Sequence, residues 1–113
     1  MEDLGFIIGL ELQQIVLQSY QITFVFDKSV TLSVEQIWRL YRNGELLGEG
    51  NPQVQAGPIE ALQKTIGTGI TAYTWEKDKT LVISFSNDHK LALIKAEQYE
   101  SYHFTGDGFF VVV

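Results

Sequence analysis

His89, His103, Glu97, Glu100, Asp88 and Asp107 are the side chains of this 113-residue sequence whose chemistry suits a metal site or acid–base work. Glu100 and His103 stand three apart, a spacing that would bring them to one face of a helix as a metal pair. The residues around them alternate like a strand, where an odd spacing sends two side chains to opposite faces. A shared metal is therefore not expected. Nucleophilic catalysis has no support either, because Cys is absent, no Gly-x-Ser-x-Gly elbow occurs and neither His falls in a triad context. Paired-carboxylate hydrolysis needs two acids at a defined separation in a cleft, and nothing in the sequence places them. Gly44-Glu-Leu-Leu-Gly48-Glu-Gly50 lacks the Lys-Ser/Thr of a phosphate loop, and its acids would repel phosphate. Gly106-Asp-Gly108 reads as a hairpin turn. The expectation is a protein that is not an enzyme and carries no metal or cofactor.

Binding is the remaining chemistry. Trp38, Tyr41, Tyr73, Trp75, Tyr99 and Tyr102 are core or cross-strand residues in most small β domains, and interface anchors where exposed. Trp38 and Tyr102 are the better interface candidates, since charged residues flank them in the chain. The net charge is −6 and the pI about 4.7, which disfavours direct binding to nucleic acid or to an anionic membrane. A basic protein partner is electrostatically suited to it.

The elements that would position these residues are mostly strands. Ile22 to Val34 and Leu81 to Leu93 are two copies of one pattern: an alternating strand, a polar turn and a returning strand. Without a gap, Ile22, Phe24, Phe26, Leu32 and Val34 meet Leu81, Ile83, Phe85, Leu91 and Leu93. Residues 6–18 shift parity at Gln13-Gln14, as one strand with a bulge or as two short strands. Residues 33–44 fit a capped helix or a strand through Gln36 to Tyr41, and the duplication favours the strand. Residues 44–57, with four Gly and Asn-Pro, read as a loop. A helix follows over 58–66, with Gly57 as N-cap, Pro58 first, Ile59, Leu62 and Ile66 as its stripe and Gly67 as its stop. Residues 70–76 form a strand with Trp75 opposite Ile70 and Ala72, and residues 97–105 form another. The last strand, Phe109 to Val113, is apolar on both faces, so it is either central or covered by another chain.

The fold class is therefore α+β: mostly antiparallel β, two meander halves making a twisted sheet or half-barrel, and one short helix near 58–66. The length suits a single domain over 1–113, and 45% hydrophobic residues suffice for a core. No apolar run approaches the roughly 20 residues of a membrane span. The acidic start, without a signal-like apolar stretch, and the lack of Cys fit a cytoplasmic protein.

Thr80-Leu-Val-Ile-Ser-Phe-Ser-Asn-Asp-His-Lys-Leu-Ala-Leu93, followed by Tyr99-Glu-Ser-Tyr102, resembles the end of a small uncharacterised bacterial β-meander domain family. That family carries a Leu-x-Leu-x-Phe-x-(Asp/Asn)-Gly-x-x-Leu hairpin, then Tyr-Glu-Ser-Trp and a Gly-bearing turn. Here His89 is read at the place of the turn Gly, and Tyr102 stands where Trp is usual. Such proteins are similar to the acidic immunity proteins encoded beside polymorphic or contact-dependent-inhibition toxins. The resemblance implies a cytoplasmic antidote that binds a cognate toxin's C-terminal domain, a nuclease in many cases, and masks its active site. Glu45, Glu49, Glu97, Glu100 and Asp107 would supply the negative field, and Trp38 and Tyr102 the apolar anchors. The alternatives are a homo-oligomeric structural module, in its simplest form a homodimer paired through the C-terminal strand, and a small-ligand binding domain.

Overall fold

Alternating apolar residues make strands because successive side chains leave a strand on opposite faces, and one face here can be buried whole. The computed structural model describes residues 3–55, 57–94, 102–106 and 109–112. A 3-10 turn, Gly5–Ile7, precedes β1 (Leu12–Gln18), β2 (Gln21–Phe26), β3 (Thr31–Val34), β4 (Trp38–Arg42) and β5 (Glu45–Gly50). The short helix α1 (Ile59–Gln63) leads into β6 (Ile70–Trp75), β7 (Leu81–Phe85), β8 (His89–Leu93), β9 (Tyr102–Gly106) and β10 (Phe109–Val112).

These strands form two antiparallel sheets, in the orders β1-β2-β3-β9-β10 and β5-β4-β8-β7-β6, and the sheets do not close into a barrel. The expected single twisted sheet or half-barrel is thus two sheets. Their inner rows (Ile22, Phe24, Leu32, Val34 and Phe104 from one, Leu40, Leu81, Ile83, Leu91 and Leu93 from the other) merge into one core.

The repeat seen in the two hairpins extends much further. Each half is a three-stranded meander followed by a hairpin, and each half's hairpin completes the other half's sheet: β9 pairs with β3, and β4 with β8. Leu12 pairs with Phe26 and Ile70 with Phe85, and a bulge follows each time, before Gln14 and before Ala72. The first bulge settles the parity shift at Gln13-Gln14. The second corrects a face assignment: past it, Tyr73 and Trp75 pack against the core, while Ala72 is exposed.

The halves meet where β1 and β6 begin, at an antiparallel bridge between Glu11 and Gly69. Leu12 N–H donates to Thr68 O (3.0 Å) and Ile70 N–H to Leu10 O (2.8 Å). Gly67 N–H donates to Leu12 O (2.7 Å) and Gly9 N–H to Ile70 O (2.8 Å). Shifting every residue to its counterpart in the other half exchanges the members of each pair, so a pseudo-two-fold axis passes through the bridge. Gly9 and Gly67 share the same left-handed backbone, with φ of +91° and +89°. The 3-10 turn has its counterpart in the turn that ends α1: Ile7 N–H donates to Leu4 O as Thr65 N–H does to Leu62 O, and Ile66, like Ile8, is exposed.

Trp38–Arg42 is a strand rather than a helix, as the duplication favoured, but the chain bends over residues 35–37 on passing from one sheet to the other, and the expected loop over 44–57 begins with β5. Asn43 and Gly44 both have positive φ (50° and 82°), the two-residue hairpin turn that Asn-Gly favours. β5 lies at a sheet edge, so its Gly-rich, outward-facing sequence carries no clean alternation.

The chain's start is tied to β6. Leu4 N–H donates to the Tyr73 hydroxyl (3.0 Å), which donates to Asp3 Oδ1 (3.0 Å). Gly5 N–H also donates to that carboxylate (2.9 Å), and these bonds, the Gly5 one foremost, hold the Asp3 pKa below its ordinary 3.8. A lowered folded pKa gives stability that is present above the unfolded value and is lost as pH falls through the folded one. Asp3→Asn should therefore lose less thermal stability than the parent as pH is taken down from about 5, read as Tm against pH. Ala in place of Gly9 or of Gly67 meets no neighbouring atom but strains the backbone. Each change should cost about 1 kcal/mol in urea unfolding, with nearly equal effects if the two positions are equivalent.

Candidate partner-binding surface

The residues singled out in the sequence separate into three groups. Trp38 (0% exposed) and Tyr102 (1%) are core residues. They occupy counterpart positions, Trp38 opposite Leu93 and Tyr102 opposite Val34, where each exchanged hairpin enters its sheet. Burial raises the Tyr102 hydroxyl pKa. As exposed anchors both are corrected: strand parity turns their rings inward with Leu40 and Phe104, while Arg39 and His103 beside them face the other way. Glu97, Glu100 and Asp107 lie outside the described residues. Glu45 and Glu49 are on β5 and exposed.

The histidines do not converge. His103 is half-buried on β9, opposite Ser33. His89 is buried at the start of β8, and the left-handed turn position that suits Gly belongs to Asp88 (φ 65°), not to His89. The His89 Nδ1 lies 3.1 Å from Asn87 O, which can only accept, so Nδ1 carries the proton and Nε2 is left as a buried acceptor without a partner among the described residues. Among the described residues no three His, Cys, Asp or Glu side chains are grouped to hold a metal ion.

Around β5 a different set comes together. Leu46 and Leu47 are exposed at the bulge opposite Leu40 and Tyr41. The chain then turns through residues 51–55, held by Gln55 N–H to Asn51 O (2.8 Å) and Gln53 N–H to Asn51 Oδ1 (3.0 Å). This turn holds Val54 out at 86% exposure. Gln53 Nε2 donates to Tyr20 O (2.9 Å), which brings in the β1–β2 turn and its 65%-exposed Tyr20. The segment after the turn is packed hard against β5. A Cβ on Gly57 would lie 2.5 Å from Glu49 O, and one on Gly48 would lie 2.7 Å from Pro58 Cγ. Between turn and helix start lies a cleft of about 570 Å³ whose lining includes Glu49, Val54, Pro58 and Glu60 and no basic residue.

Glu49 Oε2 also accepts from Arg39 Nε at 2.9 Å, which raises the Arg39 pKa. This exposed pair contributes little stability, but it is a boundary. Beyond it, on the outer face of the second sheet, a smaller hollow of about 330 Å³ is lined by Arg39, Tyr41, Lys90, Asp78 and Glu76 among others. Mixed charge there leaves no net field, whereas the β5 cleft carries Glu60 beside the Arg39-paired Glu49, with an apolar margin. Sequence reasoning had Glu45 and Glu49 but missed Tyr20, Leu46, Leu47 and Val54. The Asn43-Gly44 turn was the available signal, because it announces a hairpin whose second strand must carry them.

This surface is built on a hairpin, a packed glycine and a hydrogen-bonded turn, and residues 6–113 of the chain match one family throughout. The chain belongs to DUF6188, a family of unknown function. No curated protein and no solved structure matches it. In this family member exposed apolar and acidic side chains meet on the β5 surface. His89 stands apart from it, at the counterpart of Val30. Replacing it with Val removes a buried, unpartnered acceptor, so His89→Val should raise stability by about 1 kcal/mol in urea unfolding.

Proposed function

We propose that this protein is a non-enzymatic immunity protein: it binds the C-terminal domain of a cognate toxin and neutralises it by covering a basic active site with an acidic surface. The observation that supports this reading most is the grouping of Glu45, Glu49 and Glu60 with exposed Leu46, Leu47, Val54 and Tyr20 around β5. Interfaces of this kind combine apolar anchors, which hold the complex, with charge, which speeds encounter and rejects wrong partners. A nuclease, which must attract polyanionic substrate, presents the basic groove that such a surface suits. Glu97, Glu100 and Asp107 would extend the field in the same sense, and the net charge of −6 agrees with it. The site of action is then the cytoplasm, where a toxin domain entering the cell would meet it.

The test is titration against the toxin domain encoded immediately upstream, with growth of toxin-exposed cells as the second readout. Tight, salt-sensitive binding and protection are expected; no binding and no protection would remove the proposal. Glu45→Lys with Glu49→Lys should weaken binding at least tenfold, about 1.4 kcal/mol, mainly by slowing association. Val54→Asp should instead speed dissociation.

A further inference from the structure

Each sheet has two edge strands, and the duplication supplies an internal comparison for one pair of them. β5 and β10 are counterparts: β10 lies outside β9 as β5 lies outside β4, and each ends its sheet. A strand in that position presents a row of unpaired N–H and C=O groups, and natural sheets protect such rows with charge, bulges or covering chain. β5 has all three. It carries Glu45 and Glu49, it has an extra residue where Leu40 and Tyr41 face Gly48 and Leu46, and Gly57 sits against Glu49 O. β10 has none of these among the described residues. Its register runs unbroken from Phe109–Gly106 to Val112–His103, and Phe-Phe-Val-Val has no charge, Gly or Pro. Among the described residues, then, one edge is guarded and its counterpart is left open.

We propose that β10 is the contact through which two copies of this chain dimerise, pairing antiparallel across a two-fold axis so that their first sheets become one. Charge selects this occupant. Two copies with a net charge of −6 repel one another, and β10 is an edge at which no carboxylate would face its own image. Self-pairing of β5 would set Glu45 and Glu49 among like charges. A basic partner, conversely, finds nothing on β10 to attract it. Antiparallel pairing about a two-fold axis also places Phe and Val opposite Phe and Val, the self-complementary contact that a symmetric dimer requires. β5 belongs to the other sheet, so each copy keeps its acidic surface, and the dimer does not depend on the function proposed above.

Sedimentation of the full-length chain over a wide concentration range tests the proposal. The parent should sediment as a dimer, and the mass should halve on changing Phe110 and Val112 to Lys, with circular dichroism unchanged. Glu45→Lys with Glu49→Lys should leave the dimer intact. Amide hydrogen exchange on the parent gives a second reading that needs no variant: residues 109–112 should be protected at high concentration and lose that protection on dilution. A monomer at every concentration would overturn the proposal, as would a dimer that survives in a folded β10 variant or is lost in the β5 variant. If the β10 variant fails to fold, protection of 109–112 that ignores concentration overturns it equally.

Discussion

The Glu11–Gly69 bridge and the four backbone hydrogen bonds around it are the constraint on which the architecture rests. They join the first strand of one meander to the first strand of the other, and the two sheets share one core. Backbone groups carry the contact, which leaves the residue types at the bridge free to differ, as Glu11 and Gly69 do. What backbone pairing does demand is a left-handed residue just before each strand. Gly9 and Gly67 meet that demand at almost the same φ. The next layer repeats as well: Asp27 N–H donates to Glu11 O (3.0 Å) and Ser86 N–H to Gly69 O (2.9 Å). Side chains close the return in both halves, Glu11 N–H donating to Asp27 Oδ1 and Gly69 N–H to Ser86 Oγ.

The parts of this fold that were legible in the sequence are those where burial enforces a period. Ile22, Phe24 and Phe26 alternate because each second side chain enters the core, and so do Leu81, Ile83 and Phe85. Legibility failed where the period is broken or has no burial to enforce it. The bulge between Ile70 and Ala72 moves Trp75 to the inner face, and a count along the sequence cannot see an extra residue. β5 is an edge strand whose residues are mostly exposed, so it read as loop. Trp38 and Tyr102 were misread through their neighbours: in a strand an adjacent charge is evidence for burial of the residue beside it, since the two face opposite ways. The candidate surface was half legible. Glu45 and Glu49 were identifiable as a cluster of charge, but the exposure of Leu46, Leu47 and Val54 depends on a turn and a bulge.

Function in such a duplicated chain resides where the halves differ, because positions that both halves need for packing stay similar in kind. Leu12 and Ile70, or Phe26 and Phe85, are interchangeable in this sense. Val30 and His89 are not, nor are β5 and β10. Of these departures, β5 with the turn that follows it brings together exposed apolar and acidic side chains. The proposed recognition surface rests on that concentration more than on overall acidity.

The exchange of hairpins between halves has a consequence for how the chain is made. β3 needs β9 beside it, and β9 lies far along the chain, so the first meander emerges from the ribosome with its inner strand open. The second sheet faces no such wait, because β4 and β5 are already present when β8 arrives. Biosynthesis should thus complete the sheets in reverse of their order in the gene, with the earlier one finished last. During that interval the exposed side of β3 is the most adhesive part of the nascent molecule.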